Sequence, residues 1–200
     1  KGEERMKLVL ASKNQKKLLE MNDILSHLGV EVCSEAEAGV DLEVEETGTT
    51  FEENSLLKAK AVMEASGLPA IADDSGLCVD CLNGAPGVYS ARYGGEGLSD
   101  EARYRILLEN MRGQMTRAAK FVSVITCCFP NGDVLSARGE CPGTIAYAPM
   151  GEGGFGYDPV FFVPELKKTF SQMTADEKNA ISHRGKAIQA FKEKLEDYLR

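Results

Sequence analysis

Two acids stand side by side in Ile71-Ala72-Asp73-Asp74-Ser75-Gly76, at the end of a short apolar run. Residues 69–72 read as a buried strand, and Gly76 permits a sharp exit from its tip. Adjacent carboxylates repel, and burying either one alone is costly. A cation relieves both costs, and hard oxygen ligands favour magnesium, with manganese as a substitute, over zinc. The plainer alternative is an Asp-rich turn in which Asp74 caps local backbone and both acids face water. A third acid, Glu46, precedes the flexible Thr47-Gly48 turn. If that turn folds back on the strand, Glu46 and Asp74 share one ion; otherwise Glu46 is a surface acid.

Other segments offer complementary chemistry. Ser12-Lys13-Asn14-Gln15-Lys16-Lys17 sits where a strand turns into a helix. Unpaired N–H groups and the positive end of the dipole favour a phosphate there. Ser12 and Asn14 add neutral donors, and Lys13 and Lys17 add charge. The glycines of a Walker loop are missing, and an N-cap followed by solvated lysines fits the same residues. In Gly153-Gly154-Phe155-Gly156-Tyr157-Asp158-Pro159, glycines let the backbone approach a flat ligand while Phe155 offers a stacking face. A glycine-rich hairpin with a core Phe is the alternative. Lys178 and Ser182-His183-Arg184 read as the start of the last helix, where cations oppose the dipole. That conflict points to a ligand-facing role rather than an incidental basic turn.

The elements that must position these groups alternate. Residues 6–11 form a strand, residues 14–28 an amphipathic helix ended by Gly29, and residues 30–33 a second strand. An acidic loop spans residues 39–48. Thr50-Phe51-Glu52-Glu53 is a capping box that opens a helix running to Ser66, with Gly67 beyond it. Two strands follow around Asp73 and Asp74, then a Gly- and Pro-rich loop over 83–97 and a helix over 99–111. Residues 120–129 and 134–147 form a hairpin that turns at Asn131-Gly132. A strand over 159–163 and a helix over 182–199 close the chain. The pattern is α/β with a mixed sheet, in one domain of 200 residues.

Bulk properties narrow the class. The chain is 43% hydrophobic and 27% charged, as expected of a folded globular protein. A net charge of −8 argues against a non-specific grip on nucleic acid, while a local lysine cluster can still hold a small phosphorylated ligand. No apolar run is long enough for a membrane span. Lys1-Gly2-Glu3-Glu4-Arg5 carries no secretory pattern, and Met6 is expected to be the natural start, with residues 1–5 an appendage. Cys78-Val79-Asp80-Cys81 has C-x-x-C spacing, which admits a thiol redox or zinc protein. Residues 77–82 read as a strand, however, so the two thiols point to opposite faces. Reduced thiols in a cytoplasmic protein are the better reading.

Six ordered motifs resemble the inosine triphosphate pyrophosphatase family, which hydrolyses aberrant purine nucleoside triphosphates. They are S-K-N-x-x-K at Ser12 to Lys17, E-E-T-G-x-T-F-x-E-N-S-x-x-K-A from Glu45, and A-D-D-S-G-L from Ala72. G-A-P-G-V-Y-S-A-R-Y from Gly84, G-G-F-G-Y-D-P-V-F from Gly153 and E-K-N-A-I-S-H-R from Glu177 complete the set. The resemblance implies an elongated two-lobed fold on a long mixed sheet flanked by helices, an active-site cleft between the lobes, and a homodimer. It implies cleavage of a nucleoside triphosphate to the monophosphate and pyrophosphate, with magnesium required. By position, Glu46 and Asp74 match the family's metal ligands, and Asp74 its proton acceptor, with Asp73 and Glu46 as substitutes for that role. Ser12, Lys13, Asn14, Gln15, Lys16, Lys17 and Ser75 match substrate contacts near the phosphates. Phe155, Gly156, Tyr157, Asp158, Lys178, His183 and Arg184 match the base pocket.

Hydrogen-bond polarity suits that substrate class. Inosine and xanthine carry an oxygen where adenine carries an amino group, so donors such as Lys178, His183 or Arg184 accept the former and leave the latter unpaired. A catalytically silent nucleotide-binding regulator would use the same pocket, but it has no need of the hydrolytic acids Glu46, Asp73 and Asp74.

Overall fold

The computed structural model describes residues 4–200, so most of the appendage expected at residues 1–5 lies outside the described residues. The elements in chain order are β1 (Met6–Leu10), α1 (Gln15–Leu25), β2 (Val30–Ser34), α2 (Phe51–Ser66), β3 (Ala70–Val79) and α3 (Asp100–Asn110). They continue with β4 (Ala118–Cys128), β5 (Val134–Ile145), β6 (Phe161–Val163), β7 (Lys168–Thr169), α4 (Ala175–Ile181) and α5 (His183–Tyr198). The strands form one sheet in the order β2-β1-β3-β4-β5-β6-β7. β1 runs parallel to both β2 and β3, and β6 runs antiparallel to β5 and β7. Parallel neighbours need crossover connections, and α1 and α2 supply them. The sheet is therefore mixed and the class α/β, as the sequence implies.

The chain divides into two compact units. The first takes the chain up to Asp74, then Val124–Arg138 and Ala187–Arg200. Within it the pleat sends alternate side chains to opposite faces. Leu8, Leu10 and Ile71 pack with Leu18 and Leu25 of α1 and with Phe191 and Leu195 of α5. Val9 and Ala70 pack instead with Val62 of α2. Asn14 caps α1, its Oδ1 accepting the N–H groups of Lys16 and Lys17. The second unit takes Ser75–Ser123 and Gly139–Lys186, around a core that includes Leu77, Leu107, Phe121, Phe161 and Phe170.

Several local expectations change. Asp73 and Asp74 lie inside one continuous ten-residue strand, not at a strand tip between two strands, and Gly76 continues that strand instead of ending it. Burial on both faces sustains pairing through the polar residues there. Only half of the capping box forms at α2: Thr50 Oγ1 accepts the Glu53 N–H, but the Glu53 carboxylate accepts from Thr49 and not from the cap's own amide. Residues 182–199 were expected to be the only C-terminal helix, yet α4 precedes α5, opened by a full capping box of Thr174 and Glu177. Lys178 therefore sits in the last turn of α4, the favourable end for a cation, and not at the start of the final helix. Cys81 lies in a 3-10 turn (Asp80–Leu82), so strand alternation does not separate it from Cys78 as expected; all six cysteines are nonetheless free thiols.

Gly143 in β5 shows how closely the second unit is packed. A Cβ there would lie 2.6 Å from the Phe162 carbonyl oxygen and 2.7 Å from Phe161 Cζ. Gly143→Ala is expected to destabilise by ~2 kcal/mol, because a backbone carbonyl cannot step aside. Urea unfolding will register this as a lower midpoint at unchanged slope.

Candidate active site

The first unit gathers its acids around a lysine. Asp74 shares the parity of Ala70 and Ala72 along β3 and so faces α2; Asp73 shares that of Ile71 and faces α1. The pleat thus separates carboxylates that looked like a pair. Asp73 meets Lys17 Nζ at 3.0 Å. On the other face, Lys58 Nζ lies 2.9 Å from Glu46 Oε1 and 3.8 Å from Asp74 Oδ1, and it donates to the Asp73 carbonyl at 2.6 Å. The two acids assigned to the metal therefore converge on one cationic point.

Asp74 is only 8% exposed, and its Oδ2 is buried without a hydrogen-bond partner. Burial pushes its pKa from 3.8 up to about 6; Lys58 opposes the rise and Glu46 adds to it. An orphaned carboxylate oxygen beside a second acid suits a hard divalent cation. No set of three or more His, Cys, Asp or Glu side chains surrounds one point among the described residues. Two carboxylates would leave further positions to water and phosphate oxygens, which fits magnesium better than a closed protein cage.

The segment from Ser12 to Lys17 lies in the same unit. Ser12 and Lys13 line a cavity of about 310 Å³ together with Lys58, Glu35 and Glu43. Burial raises the Glu35 pKa, while Lys13 opposes that rise. Asn14 is committed to capping α1, and Ser12 Oγ accepts the Asn14 N–H at 3.2 Å. Gln15 and Lys16 are exposed and do not line this cavity. Ser75 is exposed on β3 directly after Asp74.

In the second unit, Phe155 is 67% exposed, and Lys178 Nζ stands 4.8 Å from its ring centroid. Asp158 fixes that lysine at 2.7 Å and also accepts the Phe155 N–H at 3.1 Å. Burial raises the Asp158 pKa, and Lys178 works against it. Gly154 is obligatory here: a Cβ would fall 2.3 Å from Asp158 Oδ2, and the backbone φ is +74°. The Gly156 N–H donates to Asp100. His183 stacks on Phe121 at 4.7 Å and lies parallel to Phe170. Arg184 follows it, half-buried, in the first turn of α5. Tyr157 is different: it is buried, and its hydroxyl donates to the Ser90 carbonyl at 2.6 Å, so it braces the loop. A lysine held over an exposed aromatic face can pair a flat, oxygen-bearing ring.

Lys58 and Asn54 escaped the reading of individual residues. The signal was present: α2 turns Phe51, Asn54, Ser55, Ala59 and Val62 inward, and Lys58 is half-buried beside them. Polar side chains on a core-facing stripe conflict with simple amphipathic packing and mark a site.

Comparison with known proteins is extensive. Residues 8–194 match the Ham1 family. A Haemophilus influenzae protein named dITP/XTP pyrophosphatase is 49% identical over 195 residues, covering 96% of this chain and all of that protein. A protein of the same name from Exiguobacterium sp. is 46% identical over 98% of this chain and all of its own length. Among solved structures, the Staphylococcus aureus Ham1 protein superposes with a TM-score of 0.91 at 44% identity, covering 96% of this chain and 99% of that one. A HAM1 protein from Coxiella burnetii gives a TM-score of 0.90 at 42% identity, over 97% and 98% of the two chains.

Two outcomes follow from these burial patterns. Because the folded pKa of Asp74 is raised, its protonated form stabilises the fold fully below about pH 4, and that contribution is lost as pH rises through about 6. Above that, the buried charge costs up to ~3 kcal/mol. Asp74→Asn should therefore melt higher than the parent at pH 8 without divalent ions, with the gap closing towards pH 4; equal melting at pH 8 would contradict an under-compensated charge. Lys178→Met should destabilise by about 3–5 kcal/mol by leaving Asp158 buried alone, and adding Asp158→Asn should restore most of it. A double-mutant cycle in urea measures this coupling.

Proposed function

Because this chain belongs to the Ham1 family, we propose that it hydrolyses the triphosphates of inosine and xanthine, in ribose and deoxyribose forms, to the monophosphate and pyrophosphate. The observation that carries this reading is the convergence of Glu46 and Asp74 on one cationic point, with Asp74 Oδ2 left unpartnered. Near relatives named dITP/XTP pyrophosphatase support the substrate class.

Glu46 and Asp74 would hold a magnesium ion, for which manganese can substitute. When bound, that ion supplies charge neutralisation at phosphate oxygens and acidifies a coordinated water. Lys58 and Lys13 extend the neutralisation, and Lys17 remains anchored to Asp73. Asp74, whose pKa stands near 6, is ionised at neutral pH yet basic enough to accept a proton from water attacking the α-phosphorus. Asp73 keeps its neighbour's field negative from the opposite face. In the second unit, Phe155 provides the stacking face, and Lys178 donates to the purine 6-oxygen while Asp158 holds it in place. An adenine amino group would bring its own hydrogens against those donors.

Resemblance to the inosine triphosphate pyrophosphatase family supports a homodimer, and six free thiols support a reducing, cytoplasmic setting. No helix among the described residues is long and apolar enough to cross a membrane.

The test is product analysis with ITP, dITP, XTP and ATP in the presence of magnesium. We expect monophosphate and pyrophosphate from the first three, at least ~100-fold less from ATP, and loss of turnover with Asp74→Asn. Stepwise release of single phosphates would rule out attack at the α-phosphorus.

A further inference from the structure

We propose that Asn54 is a positioning residue that sets the spacing of Glu46 and Asp74 for a divalent cation. The inference rests on the reading of those two acids as the metal ligands. Asn54 is 1% exposed in α2, one turn before Lys58. Its Oδ1 accepts the Gly48 N–H at 2.8 Å, which ties down the loop two residues after Glu46. Its Nδ2 is buried without a partner, as is Asp74 Oδ2, and the amide faces that carboxylate. The two atoms are of opposite polarity, one a donor and one an acceptor, and a buried amide turned toward the carboxylate lowers its pKa.

Gly48 shows that the loop is built for this approach. A Cβ there would stand 2.7 Å from Asn54 Oδ1 and 2.7 Å from Glu53 Cβ. Lys58, on the same helical face as Asn54, then engages Glu46 at 2.9 Å. One helix thereby addresses both carriers: it bonds the loop through an amide oxygen and turns the amide nitrogen toward the strand acid. Removing Asn54 would take away the buried bond that ties this loop to α2, leaving contacts such as those at Thr49 and at Lys58. The amide touches no substrate; it acts through the acids.

The test is manganese titration of substrate-free protein, followed by electron paramagnetic resonance, on the parent, Asn54→Leu and Gly48→Ala. Asn54→Leu removes both polar atoms at similar volume; Gly48→Ala disturbs the same contact from the loop and keeps the amide, so it decides the matter if the first variant does not fold. We expect manganese affinity to fall about tenfold or more in each folded variant. We expect the double variant to lose little beyond the worse single, and kcat at fixed low metal to fall with little change in KM. Unchanged manganese affinity in a folded variant overturns the role of Asn54 alone. A parent protein that binds no manganese overturns the two-acid site, and this inference with it.

Discussion

The Asp74 carboxylate is buried on the α2 face of the sheet with two formal negative charges, its own and that of Glu46, set against the single ammonium of Lys58. Lys58 attracts the Asp74 charge across 3.8 Å, while Glu46 repels it and cancels part of that gain. What remains is the cost of removing Asp74 from water, which appears as its raised pKa. The cluster is one positive charge short of balance. A protein without use for a cation there would gain stability from an amide in place of the acid.

The second unit meets the same cost and offsets more of it by direct contact. Asp158 is as buried as Asp74, but it has one ammonium at 2.7 Å and a backbone N–H at 3.1 Å. Asp100 adds a second, more distant negative charge, but the lysine is in direct contact with Asp158 and stands against an aromatic face. One unit therefore presents an acid with an unpartnered oxygen, and the other an acid paired directly with a donor-bearing lysine. The two units thus differ in electrostatic character: the first leaves an acid under-compensated, and the second holds an ammonium against an aromatic face.

Much of this was legible in the chain. Pattern and caps placed α2 and α3 within one residue, whereas the helix expected over 14–28 is α-helical only to Leu25 and reaches Gly29 as a 3-10 turn. The residues alone left Glu46 as a partner of Asp74 or a surface acid; the resemblance paired them, and both approach Lys58. What the chain could not disclose was parity. Adjacent acids look like partners in a linear string, yet a strand sends them apart, and only their placement inside β3 reveals that Asp73 belongs with Lys17. Tyr157 misled for a related reason: a motif position next to ligand-facing residues says nothing about whether the ring turns outward or braces Ser90. The α4–α5 division also escaped, because Ser182 both ends one helix and begins the next, its backbone N–H closing α4 and its hydroxyl capping α5.

The cap of α1 carries a consequence for any anion that approaches it. Two of the amides such a guest would seek are already occupied by Asn14 Oδ1. A newcomer must displace a neutral oxygen that is tethered nearby and loses little entropy in returning. Weakly charged groups lose that contest and strongly charged ones win it. Any anion docking at this turn would therefore compete with a built-in neutral acceptor, a contest that favours guests of higher charge.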